Sequence, residues 1–549
     1  MHVGPGMLWR ALLTGAACCS LCQAQQAPCR IQVQTAKPVQ SRFAGVGFHN
    51  FHHLHPIDQT RYHQVIAKRW RELNASFARL TDMWDLEPRW VEALAQHALL
   101  LKSTGTEIYL TTWNPRDTAP GEERAAYARK VVDNLEYLVR KRGATNIRWY
   151  CMTNELSLGG WGKLRDDLPK FKDYHQRIHD ELKARQLDVG LLATDASPVS
   201  NWGTLEWASA NMNQITAIYG GHHYINGHAL EDPGFYDWFL SKLKWAAGVA
   251  AARDKGFILG EFGAKQYRGP PKDGRRWDAC HYWDTPQEPL VAIQLAEATL
   301  AALNARVHAL AYWTFADFPD DYSASYANKW GVFKWSGDDH STRPHYYAYG
   351  LLTKFFRGPA TVYTVTSGDD LVRAAALQHH GARTWSVAVL NRRDADVRVA
   401  LSLEGARVSA RFRKYVYDPK RPPSHPYGDL QAPAGTVSMR GGRFSDTVSA
   451  GTLAVYTTAY DDRPPAAVRG LIAYPPREGR RLVRWRPNRE PDLCYYRVYR
   501  STARKFRPGL ETQIGSTIAT EFVDQLPDAA ARYYYQVLAV DQSGNASRP

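Results

Sequence analysis

From residue 42 to about 345 the chain alternates short apolar, β-prone runs with segments of helical periodicity, the pattern of a parallel sheet joined by crossover helices. Eight such runs occur, at 43–49, 77–80, 107–113, 147–153, 189–194, 215–224, 257–262 and 307–315. Each interval holds one strand, one helix and their connections. Between the third and fourth runs, Ala128, Val131, Val132, Leu135, Leu138 and Val139 recur at helical spacing, and Gly143 stops the helix. Before the eighth, Thr285-Pro286-Gln287-Glu288 is a capping box with proline at the first helical position. Eight such units close most simply into a barrel. The expected fold class is therefore α/β, a TIM (β/α)8 barrel spanning residues 25–345.

Loop lengths point to one end of that barrel. Connections after the fourth, seventh and eighth runs are long and rich in Gly, Trp, Tyr and charge, whereas the return at 143–146 is short. Functional groups are then expected where the strands end. The fourth run ends in Cys151-Met152-Thr153-Asn154-Glu155 and the seventh in Leu259-Gly260-Glu261-Phe262-Gly263. Either glutamate alone reads as a surface or salt-bridged residue. Together they make a pair, because strands three positions apart around a barrel direct their emerging side chains toward one another. Cleavage of a glycosidic bond with retention requires two carboxyl groups about 5 to 5.5 Å apart, one to attack the anomeric carbon and one to protonate the leaving oxygen.

On these residues the sequence resembles the clan A glycoside hydrolases, the group that includes families 5, 30 and 39. The resemblance implies that Asn154-Glu155 carries the general acid/base and that Glu261 is the nucleophile. It extends to Arg79 after the second run, to His222 and Tyr224 on the sixth, and to Trp313 on the eighth as the aromatic floor beneath the reacting sugar. Each match has its own physical reason. Arg79 would keep Glu261 ionised, and the Tyr224 phenol would orient the same carboxylate. Asn154 would hydrogen-bond the sugar 2-hydroxyl, and Glu155 would change protonation state between the two steps. Trp113, Asn114 and His49 are expected to line the same pocket. Leu156 stands where many family 5 members have proline, so no single family is assigned.

Other features set the context. Arg10 followed by the apolar stretch 11–22 and a small-residue site after Ala24 reads as an export signal over residues 1–24, which implies secretion. Beyond it, no apolar run reaches transmembrane length. Cys29, Cys151, Cys280 and Cys494 are too scattered for a disulfide framework, and their spacing gives no zinc site. The formal charge of +15 is spread along the chain without a run of five basic residues, which argues against nucleic acid as partner. Lys265, Arg268, Lys272, Arg275 and Arg276 interleave with Trp277, Tyr282 and Trp283, a combination suited to an acidic sugar or to a solvated loop. The expected partner is a carbohydrate, with no cofactor and no metal.

Two rival classes follow from the same sequence. His53-Leu54-His55 resembles the HxH of metal-dependent amidohydrolase barrels, but the fifth run ends in Thr194-Asp195 without histidine and the fourth offers glutamate instead of lysine. A non-catalytic carbohydrate-binding barrel is the other rival, and the presence of both glutamates argues against it. After a helix at 346–356 the sequence turns strand-rich, predicting an antiparallel β-sandwich over 346–460 to which residues near 31–33 add a strand. Residues 461–549 follow a linker at 461–465 and resemble a fibronectin type III domain, with Trp485 on an early strand, 495–499 as a central strand and Tyr533 as the corner tyrosine. Its expected role is a spacer or surface attachment.

Overall fold

The computed structural model describes residues 27–49, 58–82, 88–112, 115, 120–156, 164, 167–225, 232–264, 289–318 and 329–549. The expected signal segment, His53 and His55, Trp113, Asn114, Cys280 and the basic loop at 265–284 lie outside the described residues. So does the capping box before residue 289.

The first strand, β1 (Cys29–His49), is three times the expected length because it serves two domains. Its last residues belong to the barrel. There β1 pairs in parallel with β2 (Phe77–Asp82) on one side and with β8 (Ala309–Tyr312) on the other, which closes the ring. Between them run β3 (Glu107–Thr112), β4 (Ile147–Cys151), β5 (Gly190–Ala196), β6 (Ile218–Ile225) and β7 (Phe257–Ala264), each parallel to the last. A Cβ at Gly47 would lie 1.7 Å from the Phe77 carbonyl oxygen, so the approach of β1 to β2 depends on glycine there.

Alternating side chains divide between two apolar layers. Phe77, Tyr109, Cys151, Leu192, Ile218, Ile258 and Ala309 fill the barrel interior. Their neighbours face outward against helices that include Pro88–Ser103, Gly121–Glu136, Leu168–Ala184, Phe235–Ala251 and Pro289–Asn304. Each fully buried large aliphatic side chain in these layers contributes about 1.5–3 kcal/mol. Every residue from 291 to 303 is buried, because the sandwich strands and the helix Pro344–Phe355 cover the side of Pro289–Asn304 that would otherwise meet solvent. The sixth strand starts later than expected, since Asn213–Ile215 forms a 3-10 turn.

The N-terminal part of β1 crosses into the second domain. It pairs antiparallel with β9 (Arg357–Ser367) and parallel with β12 (Val397–Glu404), through Ile31 and Val33. With β10 (Val372–His379), β11 (Trp385–Asn391), β13 (Ala410–Tyr417), β14 (Gly435–Met439), β15 (Arg443–Val448) and β16 (Leu453–Thr457) it encloses a second apolar core around Trp385, Phe412, Phe444 and Tyr456.

The C-terminal region forms two three-stranded antiparallel sheets. One holds β17 (Arg469–Ala473), β18 (Arg480–Arg486) and β21 (Glu521–Gln525); the other holds β20 (Gln513–Thr517), β19 (Leu493–Ser501) and β22 (Tyr534–Asp541). Trp485, Tyr496, Phe522 and Val537 pack between them. The expected corner tyrosine is corrected: Tyr533 precedes β22 and lies beneath the Arg500 guanidinium, 5.0 Å away, whereas Tyr535 donates its hydroxyl hydrogen to Asp524 Oδ2 at 2.7 Å.

This region is built onto the rest of the molecule. Lys68 from the barrel donates to the Tyr427 and Gly428 carbonyls at 3.2 and 3.1 Å and to Asp429, and Arg497 of β19 donates to the same carboxylate at 2.8 Å. The Ile518 amide donates to the His63 carbonyl at 3.3 Å. A spacer would make few contacts across the boundary, and these buried ones contradict that expectation.

Candidate active site

The chemistry gathers where β2, β4, β5, β6 and β7 end. Arg79, fully buried on β2, uses both terminal nitrogens. Nη1 donates to Glu261 Oε2 at 2.8 Å and to His49 Nδ1 at 2.7 Å; Nη2 donates to Asn154 Oδ1 at 2.6 Å and to Asp195 Oδ2 at 3.0 Å. Four groups from four strand ends are thereby fixed by one planar cation. The tautomer of His49 follows: Nδ1 accepts from Arg79, so Nε2 carries the hydrogen toward Thr81 Oγ1 at 3.1 Å.

The second oxygen of Glu261, Oε1, accepts from the Tyr224 phenol. His222 stands between the acids, with Nε2 2.8 Å from Asp195 Oδ1 and Nδ1 3.4 Å from Glu155 Oε1 and 3.9 Å from Glu261 Oε2. Glu155, His222 and Glu261 each present an atom within 4.8 Å of the others. The side chains of Glu155 and Glu261 are 12% and 7% exposed, so both act within an enclosed site. Glu155 and Asp195 have φ of +52° and +59°, a left-handed conformation costly for residues with a Cβ and concentrated at functional positions. A Cβ at Gly260 would meet Asp195 Oδ1, His222 Nε2 and Tyr109 each at 3.2 Å, so the pair is packed tightly against β7.

Burial raises the Glu261 carboxyl above the ordinary value, opposed by the charges of His222 and Arg79, reinforced by Glu155 and opposed again by the Tyr224 hydrogen bond. Burial alone would lower His222, but Asp195 and Glu261 outweigh it and carry the imidazole to about 9. Burial works against Asp195 ionisation too, and the charges of His222 and Arg79 nevertheless hold it below the usual carboxylate range. The site thus holds two cations and an ionised aspartate around a carboxyl pair whose protonation is linked.

The same three donors, Glu155, His222 and Glu261, are spaced as metal ligands would be. A cation there would face the Arg79 guanidinium, already 2.8 Å from Glu261 Oε2, and a protonated imidazole, so the donor set suits proton transfer better than metal binding.

Trp313 packs edge-on against His49 at 4.4 Å and close to Phe318 at 5.7 Å, while Trp330 packs edge-on against Tyr224 at 5.2 Å. The structure therefore brings Arg79, Asn154, Glu155, His222, Tyr224 and Glu261 together and places His49 and Trp313 beside them. Sequence reasoning missed Asp195, Tyr109 and Trp330. Asp195 ends its strand as the others do, and that position was the available signal. Tyr109, buried with the Arg79 guanidinium 5.4 Å from its ring, carries no signal that separates it from core.

No protein-family model matches this sequence, and no curated protein matches it. Solved structures do. The chain is similar to a glycoside hydrolase family 30 subfamily 8 xylanase from Clostridium acetobutylicum, at 13% identity and TM-score 0.55, over 78% of this chain and 99% of that one. It is similar to a family 51 α-L-arabinofuranosidase from Bifidobacterium longum, at 12% identity and TM-score 0.57, over 79% of this chain and 100% of the other. The likeness is one of fold. A bacterial orthologue of human α-L-iduronidase matches over more of the molecule, at 15% identity and TM-score 0.56, covering 95% of this chain and 98% of that one. That match extends past the barrel and sandwich into the C-terminal region.

Proposed function

We propose that the protein is a retaining glycoside hydrolase in which Glu261 is the nucleophile and Glu155 the general acid/base. The observation that carries this is the approach of the two carboxylates to within 4.8 Å at the ends of β4 and β7, as double displacement with retention requires. Glu261, ionised and oriented by Arg79 and Tyr224, attacks the anomeric carbon. Glu155 donates its proton to the departing glycosidic oxygen, leaving a glycosyl ester on Glu261. Glu155, now a carboxylate, takes a proton from water, whose oxygen displaces Glu261 and regenerates both groups. His222, protonated by its pairing with Asp195, stabilises negative charge on either glutamate as it develops. Trp313 is proposed as a surface for the sugar ring, and Asn154, held through Oδ1 by Arg79, as a partner of its 2-hydroxyl.

The three structural neighbours named above are described as acting on xylan, arabinofuranosides and iduronides, so likeness of fold leaves the sugar open. The residue pattern supports a carbohydrate partner, with the basic, aromatic run at 265–284 pointing to an acidic one, and the N-terminal segment supports secretion. The C-terminal domain is proposed as a fibronectin type III-like unit on the order of its strands and its buried Trp485. The metal-dependent rival finds no support in β5, where Asp195 is occupied by Arg79 and His222.

The test is a screen of the protein against aryl glycosides and polysaccharides, with two variants in parallel. Glu261→Ala is expected to lose more than about 10⁴-fold in turnover. Glu155→Ala is expected to lose about 10²–10⁴-fold on unactivated glycosides and far less on activated ones, with azide restoring rate. Wild-type turnover in either variant would refute the corresponding role, and silence of the wild type across a broad panel would favour the binding-protein reading.

A further inference from the structure

Among the buried cations, Lys68, Arg79 and Arg343 each have a carboxylate partner. Arg69 does not. It lies on the helical segment Ala67–Leu73, 3% exposed, with its guanidinium over the Phe333 ring at 4.3 Å. Among the described residues, Nε and Nη1 have no hydrogen-bond partner. Nearby acceptors are committed elsewhere. The Gly428 carbonyl accepts from Lys68 at 3.1 Å and Tyr346 at 2.6 Å; Asp429 serves Lys68 and Arg497; Asp339 accepts from the Ser341 amide at 2.9 Å and Lys334 at 3.2 Å. A buried guanidinium without an acceptor is costly, and the natural remedy is an anion from outside the chain.

Arg69 lines a cavity of about 430 Å³, within the range of small-molecule sites, where the barrel, the sandwich and the C-terminal domain meet. Its walls are polar and hydroxyl-bearing, with Ser341, Ser424 and Ser516 contributed by the three domains. His340 and His425 also face it, both held below the ordinary imidazole value chiefly by burial, so they offer ring nitrogens without adding charge. His340 Nδ1 is buried without a hydrogen-bond partner as well. Asp338, at the rim, is bound to Arg61 at 2.7 Å. Gly428 lets the sandwich loop close over the guanidinium: φ is +68°, and a Cβ would lie 2.7 Å from Arg69 Nε.

We propose that this junction is a second ligand site, taking a hydroxyl-rich ligand that bears an oxyanion, such as an acidic sugar, with Arg69 pairing the anion. The segment from Trp330 to Thr342 touches Tyr224 at one end and lines this cavity at the other, so one loop serves both sites. The proposal does not rest on the glycosidase reading, since binding and turnover are separate readouts on different variants.

The test is calorimetric titration of the full-length protein with glucuronate, inorganic sulfate and glucose, in wild type, Arg69→Gln and Ser424→Glu. Ser424 is an exposed wall residue, and a carboxylate there supplies the counter-charge from within. Glucuronate should bind the wild type and at least tenfold more weakly in both variants, with glucose not binding at this site. Tighter binding of glucuronate than of sulfate identifies a sugar-borne oxyanion; equal binding identifies a free anion as the source. If Arg69→Gln fails to fold, Ser424→Glu decides by itself, with binding lost, melting temperature raised and aryl-glycoside turnover kept. Failure of both anions to bind the wild type, or binding unchanged in Ser424→Glu, would overturn the proposal.

Discussion

At the residue scale, one arginine organises the chemistry, and the charges it balances make the site sensitive to pH. Glu261 must be ionised to attack, and its carboxyl is raised by burial, so the acid limb of kcat/KM is expected above the roughly 4.3 of an ordinary glutamate. Removing the foremost opposing charge with His222→Gln should move that limb to higher pH. A limb that stays in place would mean that the imidazole does not act on Glu261. Stability carries the complementary sign. The folded-state value of His222 lies above its unfolded one, so its stabilisation is complete below about 6.5 and is lost as pH rises toward about 9. Melting temperature should fall across that window in the wild type and fall less in His222→Gln. The residues legible in the sequence, Glu155, Glu261, Arg79, Asn154, His222 and Tyr224, were those near the ends of recognisable strands. Asp195 shared that position, yet it entered only as an argument against a metal site, because its meaning depends on the two cations that flank it.

At the element scale, eight alternating runs were enough to place the barrel, since a strand buried on both faces reads as a continuous apolar stretch. The double role of β1 was less legible. Only residues 31–33 hinted at it, and Pro38, where pairing with β9 shifts register, interrupts the strand pattern in the sequence. The segment after β8 was legible only as a long loop, although buried contacts fix it. Arg343 binds both oxygens of Asp317 at 2.8 Å, and the Gly331 amide donates to Asp317 Oδ1 at 2.9 Å. Replacing Arg343 by Met would strand a buried carboxylate at a cost of about 3–5 kcal/mol. Urea unfolding should record that loss, and Asp317→Asn combined with Arg343→Met should recover part of it. Equal stability of the single variant and wild type would mean that the pair does not hold the loop.

At the scale of the whole molecule, three domains share buried polar contacts that no sequence pattern announces, because the partners lie hundreds of residues apart. Lys68, Asp429 and Arg497 come from the three domains in turn. Such a junction predicts one cooperative thermal transition for the intact chain, together with a lowered melting temperature when Asp429→Asn leaves Lys68 buried without its counter-charge. Two well-separated calorimetric transitions would instead describe a C-terminal domain that unfolds independently.

The central claim, that Glu261 forms a covalent glycosyl ester, is tested most directly by incubating the protein with an activated 2-deoxy-2-fluoro glycoside of the sugar it hydrolyses and mapping the adduct by peptide mass spectrometry. The expected result is one sugar per chain on the peptide containing Glu261, formed more slowly in Glu155→Ala and absent in Glu261→Ala. Time-dependent labelling at a different residue, or turnover with inversion and no adduct, would contradict it.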